Sequence, residues 1–122
     1  AYEYLKLNKK TIFLNTNDAI QLQQVEDYKL VYKFGSDNLT QVKIELNGAQ
    51  PYVSVKHNNS DITSKLTGAY NYNNIAVAIA IGKYFKVEQS DIASGIENYT
   101  ASNNRSQIII KETNTIIMDA YN

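Results

Sequence analysis

Residues 75–82 read Ile-Ala-Val-Ala-Ile-Ala-Ile-Gly, a run with no polar side chain. The alternation of large and small residues permits a period-2 reading as a strand. However, the apolar stretch from Asn73 to Phe85 covers about 13 residues, long for a strand. Its alanines favour helix, and Asn71 or Asn73 supplies an N-cap. A helix over 73–85 that is apolar all round has to be buried. Small residues at 76, 78, 80 and 82 let such a helix lie close to a sheet. The rest of the chain must provide that sheet.

The other segments supply candidates. Residues 2–8 fit a short helix or a strand. Thr11–Leu14 is a short run of β-formers and reads as a buried strand. Asn17 or Asp18 then caps a short helix reaching about Glu26, with Ala19, Leu22 and Val25 on one face. Lys29–Phe34, Gln41–Leu46 and Tyr52–Val55 read as three strands of an antiparallel meander. Asn47-Gly48 serves as a type I′ hairpin turn, and Pro51 stands at a strand start. Ser90-Asp91 caps a second helix whose Ile92, Ile96 and Tyr99 form one stripe, ended by Asn103-Asn104. Gln107–Lys111 and Thr115–Met118 form a final β-hairpin. The expected class is α/β, with helices packed on a sheet that mixes parallel and antiparallel strands.

Composition narrows function by exclusion. The chain has 122 residues, enough for one domain. Twelve basic and twelve acidic residues cancel, which argues against nucleic acid or an anionic membrane as partner. There is no cysteine and one histidine, so thiolate and multi-histidine metal sites are excluded within the chain. No apolar run reaches the length of a membrane span, and no basic, apolar leader pattern opens the sequence. A cytoplasmic location is expected. The chain starts at Ala1 and stops just after the apolar Ile116-Ile117-Met118, which suggests a piece of a longer protein.

Several chemical motifs fail. Gly82-Lys83 lacks the upstream glycine and the Ser/Thr of a phosphate loop. His57, beside Asn58-Asn59, reads as an exposed loop residue. No paired carboxylates or Ser/His/Asp set can be assembled.

Two clusters remain. Asn71 and Asn74, three apart, share a helix face at the start of the apolar helix. Each carboxamide either caps the helix or offers a donor and acceptor side by side, matching the N6/N7 edge of adenine. The second cluster follows from the last hairpin. Counting back from a turn near Thr113 sets Arg105, the single arginine, near Asp119, Tyr121 and Asn122. This is either a surface ion pair or a polar site. In a site, arginine suits phosphate, aspartate suits a ribose diol, and tyrosine offers a stacking face.

These residues resemble a known family. Leu66–Ala80, L-T-G-A-Y-N-Y-N-N-I-A-V-A-I-A, resembles the Mur ligase pattern G-x-[HY]-N-x-x-N-x-x-A-A-x-A. Val87–Ile96 is similar to the helix V-x-x-x-x-I-x-x-G-[LI] that follows, and Arg105 occupies the place of a G-R motif. Tyr2-Glu3-Tyr4-Leu5 and Ile12–Asp18 are similar to the stretch Y-[DE]-Y-L … [IV]-F-[VL]-N-x-[DN]-D. Asp119-Ala120-Tyr121-Asn122 resembles the D-x-Y-N of the branch that adds a dipeptide, where sister branches show Y-A-H, Y-G-H or S-K-A.

The resemblance implies that the chain is the later part of a central ATP-binding domain, without the phosphate loop or the C-terminal domain. The parent would use ATP and magnesium, the magnesium ligands lying outside this chain. It would activate the terminal carboxylate of UDP-N-acetylmuramoyl-tripeptide as an acyl phosphate, which the amine of D-Ala-D-Ala attacks. Asn71 and Asn74 match adenine-holding positions. Arg105 matches a nucleotide-contacting arginine, Asp119 a ribose-binding carboxylate, and Tyr121 lies beside the nucleotide. Tyr70 replaces a common histidine, Ala69 a common lysine or arginine, and Asn104 the usual glycine before the arginine. The piece alone is expected to be inactive, and an uncovered apolar face would favour self-association. The other readings are a non-catalytic binding module and a Mur-type ligase adding a single amino acid.

Overall fold

A computed structural model describes residues 1–102, 105 and 107–118. Its elements run α1 (Tyr2–Leu7), β1 (Ile12–Asn15), α2 (Ala19–Val25), β2 (Val31–Gly35), β3 (Val42–Lys43), β4 (Glu45–Gly48), β5 (Ser54–His57), β6 (Ser60–Thr63), α3 (Asn71–Tyr84), α4 (Gln89–Asn98), β7 (Gln107–Lys111) and β8 (Asn114–Met118).

The expected α/β class holds, and the segment 2–8 is helical. Strands β1, β2 and β3 form a parallel sheet in that order. Strict side alternation sends Ile12 and Leu14 to one face, where they pack with Val25, Tyr2 and Leu5 of the flanking helices. Phe13 and Tyr32 point to the other face and meet Tyr84 of α3 edge to face, with ring centroids 5.1–5.7 Å apart. The sheet is thus covered on both sides, as a parallel sheet requires.

Asp18 is the N-cap of α2. Its Oδ1 accepts from the backbone N–H of Ile20 at 2.9 Å and of Gln21 at 3.2 Å. Gln21 returns a bond from Nε2 to Asp18 Oδ2, and its Oε1 accepts from the Asn15 N–H.

The expected meander over 29–60 is corrected. Val31–Gly35 and Val42–Lys43 are parallel neighbours, and the antiparallel sheet is β4-β5-β6 instead. The short connection between β2 and β3 folds back on itself, Asp37 Oδ1 accepting from Leu39 N–H and Asp37 O from Thr40 Oγ1. The single alternating stretch 41–46 therefore splits at Ile44. Its N–H donates to Gly35 O at 2.8 Å, and the chain then leaves the parallel sheet for β4.

Asn47-Gly48 is not a type I′ turn. Both residues lie in β4 beside a register irregularity, neither has positive φ, and the reversal falls in residues 49–53, which include a cis Gln50–Pro51 bond. Pro51 accordingly precedes β5 rather than starting it.

Helix α3 buries Asn71, Tyr72, Ile75, Ala76, Ile79 and Ala80, one face at helical spacing. All of these but Asn71 join Phe34, Val42, Ile44, Val53, Val55, Ile62 and Ile92 in the main core. The helix is not enclosed all round, because Ala78 and Ile81 are exposed on its far side. Ala76 and Ala80 lie in the core, whereas Gly82 serves a helix–helix contact. A Cβ there would lie 2.9 Å from Ile92 Cδ1 of α4. Tyr70 is the N-cap of α3, and Glu88, not Ser90 or Asp91, is that of α4; neither makes a side-chain capping bond. Helix α4 ends at Asn98, so Asn103-Asn104, outside the described residues, is not its terminator.

The terminal hairpin has the expected strands, Gln107 opposite Met118 and Lys111 opposite Asn114.

His57 is a core residue rather than an exposed one, only 2% accessible. Its Nδ1 donates to Lys43 O at 2.9 Å, which bolts β5 to the end of β3 and leaves Nε2 buried without a partner among the described residues. Burial lowers its pKa, with the Lys83 charge adding to that and the Lys43 carbonyl opposing it. A base whose folded pKa lies below its unfolded value binds its proton more readily in the unfolded chain. Its contribution is thus complete above the unfolded pKa of about 6.5 and is lost as pH falls below that. Thermal melts of wild type and His57→Gln from pH 7.5 to 5 should show the wild-type advantage shrinking on acidification. A constant difference across that range would refute the assignment.

Candidate functional site

The start of α3 is built from consecutive side chains that each find a fixed partner. Gly68, at φ +85°, turns the chain into the helix, and the N–H groups of Asn71 and Tyr72 donate to Gly68 O and Ala69 O at 3.0 Å. The Tyr70 ring lies over Gly68, where a Cβ would come within 2.5 Å of Tyr70 Cε1.

Asn71 is 5% exposed. Its Nδ2 donates to Thr67 O at 2.7 Å, and its Oδ1 accepts from Asn74 Nδ2 at 3.0 Å. Asn71 thus holds the helix entrance and orients Asn74, which is exposed. Tyr72 Oη donates to Ile44 O at 2.7 Å and accepts from Asn17 Nδ2 at 3.2 Å. Burial raises the Tyr72 pKa, so the phenol keeps the proton it donates. Asn73 Oδ1 accepts from Asn15 Nδ2 at 3.1 Å.

Between α3 and α4 lies a cleft of about 680 Å³. Its floor is apolar, with Ile75, Ala78 and Ile92. Asn71, Asn74 and Arg105 all line it, with Tyr70, Tyr99 and Asp91. A pocket of this volume, mostly apolar with a few converging polar groups, is the ordinary form of a small-molecule site. Of the five residues singled out from sequence, three come to this one concavity. Asp119 and Tyr121 lie outside the described residues.

Tyr99 and Asp91 were not singled out as site residues by sequence. Tyr99, expected on the stripe of α4, instead follows its last turn in extended conformation and is 55% exposed, as is Tyr70. No local pattern separates such a tyrosine from a core one, because its role depends on the gap between two helices. Among the described residues no cluster of three acidic or histidine side chains could hold a metal.

No family model matches the chain, and no curated protein matches it in sequence. Solved structures do. Crystal structures I and II of MurF from Acinetobacter baumannii superpose with TM-scores of 0.71 and 0.73, at 20% identity, covering 93% of this chain and 26% of theirs. The UDP-N-acetylmuramoylalanyl-D-glutamyl-2,6-diaminopimelate–D-alanyl-D-alanyl ligase from the same organism superposes at 0.72, with the same identity and coverage. The chain has the fold of a segment of these ligases. It spans 26% of their length, so the likeness concerns one portion of a larger molecule. No helix among the described residues is long and apolar enough to cross a membrane.

Proposed function

We propose that this chain is the later part of the central ATP-binding domain of a Mur-type ligase, and that the α3–α4 cleft receives the adenosine end of ATP. The parent reaction would join D-Ala-D-Ala to UDP-N-acetylmuramoyl-tripeptide. The observation that carries the reading is the convergence of Asn71, Asn74 and Arg105 on one cleft. The apolar floor suits a purine face, and its volume suits a base and sugar. Asn74 would read the base edge, held at the right angle by Asn71. Arg105 would attend the ribose or phosphate side. Asp119 and Tyr121, outside the described residues, would belong to the site on the resemblance of their motif alone. ATP supplies the phosphoryl group when bound; these residues would bind and orient it. Its phosphate loop and magnesium ligands would lie elsewhere in the parent.

The test is kinetic, on the full-length protein that carries this chain. Asn74→Ala should raise the KM for ATP about 10-fold with little change in kcat, since base binding is felt equally in ground and transition states. An unchanged KM would reject the site. The 122-residue chain alone, given ATP and both substrates, should release no phosphate above background. Measurable turnover would reject its placement as a piece without the phosphate loop. Activity of the parent with a single amino acid in place of D-Ala-D-Ala would favour a sister ligase.

A further inference from the structure

The ends of β1 and β2 and the start of α3 share a hydrogen-bond network that lies beside the cleft, not in it. Asn15 is 6% exposed. Its Oδ1 accepts from the Asn17 N–H at 3.0 Å, its N–H donates to Gln21 Oε1, and its Nδ2 donates to Asn73 Oδ1. Asn17 Oδ1 accepts from the N–H and Oγ of Ser36 after β2, while its Nδ2 reaches Tyr72 Oη. Two adjacent helix residues, Tyr72 and Asn73, are therefore tied to the parallel sheet.

Adjacent positions on an α-helix are about 100° apart around its axis. Ties at two such positions fix both the rotation and the height of the first turn. The next residue is Asn74, whose exposed carboxamide lines the cleft. Tyr72 is anchored twice, through Ile44 O and Asn17, and stays seated if one bond is lost. Asn73, the immediate neighbour of Asn74, has one tie, to Asn15. It does not line the cleft, so its side chain has no part in contacting a ligand there.

We propose that Asn73, through its bond to Asn15, is a positioning residue for nucleotide recognition: it sets the angle at which Asn74 meets the base. This rests on the reading of the cleft given above. Recognition by a bidentate carboxamide depends steeply on angle, and small misplacements at a site are costly. The bond needs an acceptor at position 73, which aspartate retains and alanine does not.

In the full-length protein, Asn73→Ala should raise the KM for ATP about 5-fold, as the Asn74 contact loses part of its alignment. The kcat should hold within about 2-fold, and the thermal midpoint should fall by a few degrees, because Asn15 Nδ2 loses its acceptor. Asn73→Asp should restore a near wild-type KM. An aspartate variant as impaired in KM as alanine would overturn the proposal. Asn74→Ala is run alongside. If it raises KM and Asn73→Ala does not, the positioning role is wrong and the cleft reading stands. If neither changes KM, the cleft reading fails and the positioning role with it. Hydrogen exchange on the 122-residue chain supplies a readout free of nucleotide. The amides of residues 71–76 should exchange several-fold faster in Asn73→Ala and not in Asn73→Asp, and equal rates would refute the tie itself.

Discussion

Truncating Ile79 to alanine is expected to lower stability by about 2–5 kcal/mol. Ile79 is fully buried at the middle of α3. It sits in one cluster with Val42 and Ile44 at the end of the parallel sheet and with Val53, Val55 and Ile62 of the antiparallel one. The void left by three lost carbons closes only in part, because its neighbours come from both sheets as well as the helix. Such a loss is a large part of the total for a domain of this size. Ile81, two residues on and 41% exposed, is the control. Its truncation should cost less than about 1 kcal/mol, since little apolar area leaves the core. Urea unfolding of the two variants measures both. Equal costs would mean that α3 does not bury the face described here.

Gly35→Ala should cost about 2–5 kcal/mol, from two sources that act together. The glycine ends β2 at φ +152°, where a side chain is strained. A Cβ would also overlap Thr16 Oγ1 and come within 3.0 Å of Asn17 Oδ1. Neither neighbour is idle: Thr16 Oγ1 donates to Phe34 O, and Asn17 Oδ1 accepts from both polar groups of Ser36. Relief of the clash therefore breaks the network that reaches Tyr72 and the start of α3. The loss should appear as a lower melting midpoint and as faster amide exchange in residues 71–76. A stable variant with wild-type exchange would show that the strand ends do not hold the helix entrance.

Much of the fold was legible because its signals are local. The apolar run 75–82 marked α3, Asp18 marked the start of α2, and the isoleucine-rich pair marked the last hairpin. Asn71 and Asn74 were legible as one face from their spacing alone. Other features were hidden for definite reasons. Parallel neighbours ordinarily need a long crossover, so a connection as short as that between β2 and β3 reads as antiparallel. The run 41–46 looks like one strand because nothing in it marks the point at which Ile44 passes from one sheet to the other. His57 among asparagines looks like a loop residue, and only the Lys43 carbonyl facing it makes it a core histidine. Arg105 could be brought toward the asparagines only through the resemblance, since helix α4 and the loop after it intervene.

The sequence by itself determined most of the helices and strands, though not β6, the split of β3 from β4 or the helical choice for residues 2–8, together with the face of α3 that carries Asn71 and Asn74. Capping, propensity and periodicity act within a turn or two of chain. Tertiary structure alone decided the parallel order β1-β2-β3, the half-open state of α3, the cleft against α4, and the Asn15–Asn73 tie. Each depends on which edges and faces meet across long stretches of chain, where the gain comes from shared burial and from pairing polar groups that would otherwise be stranded.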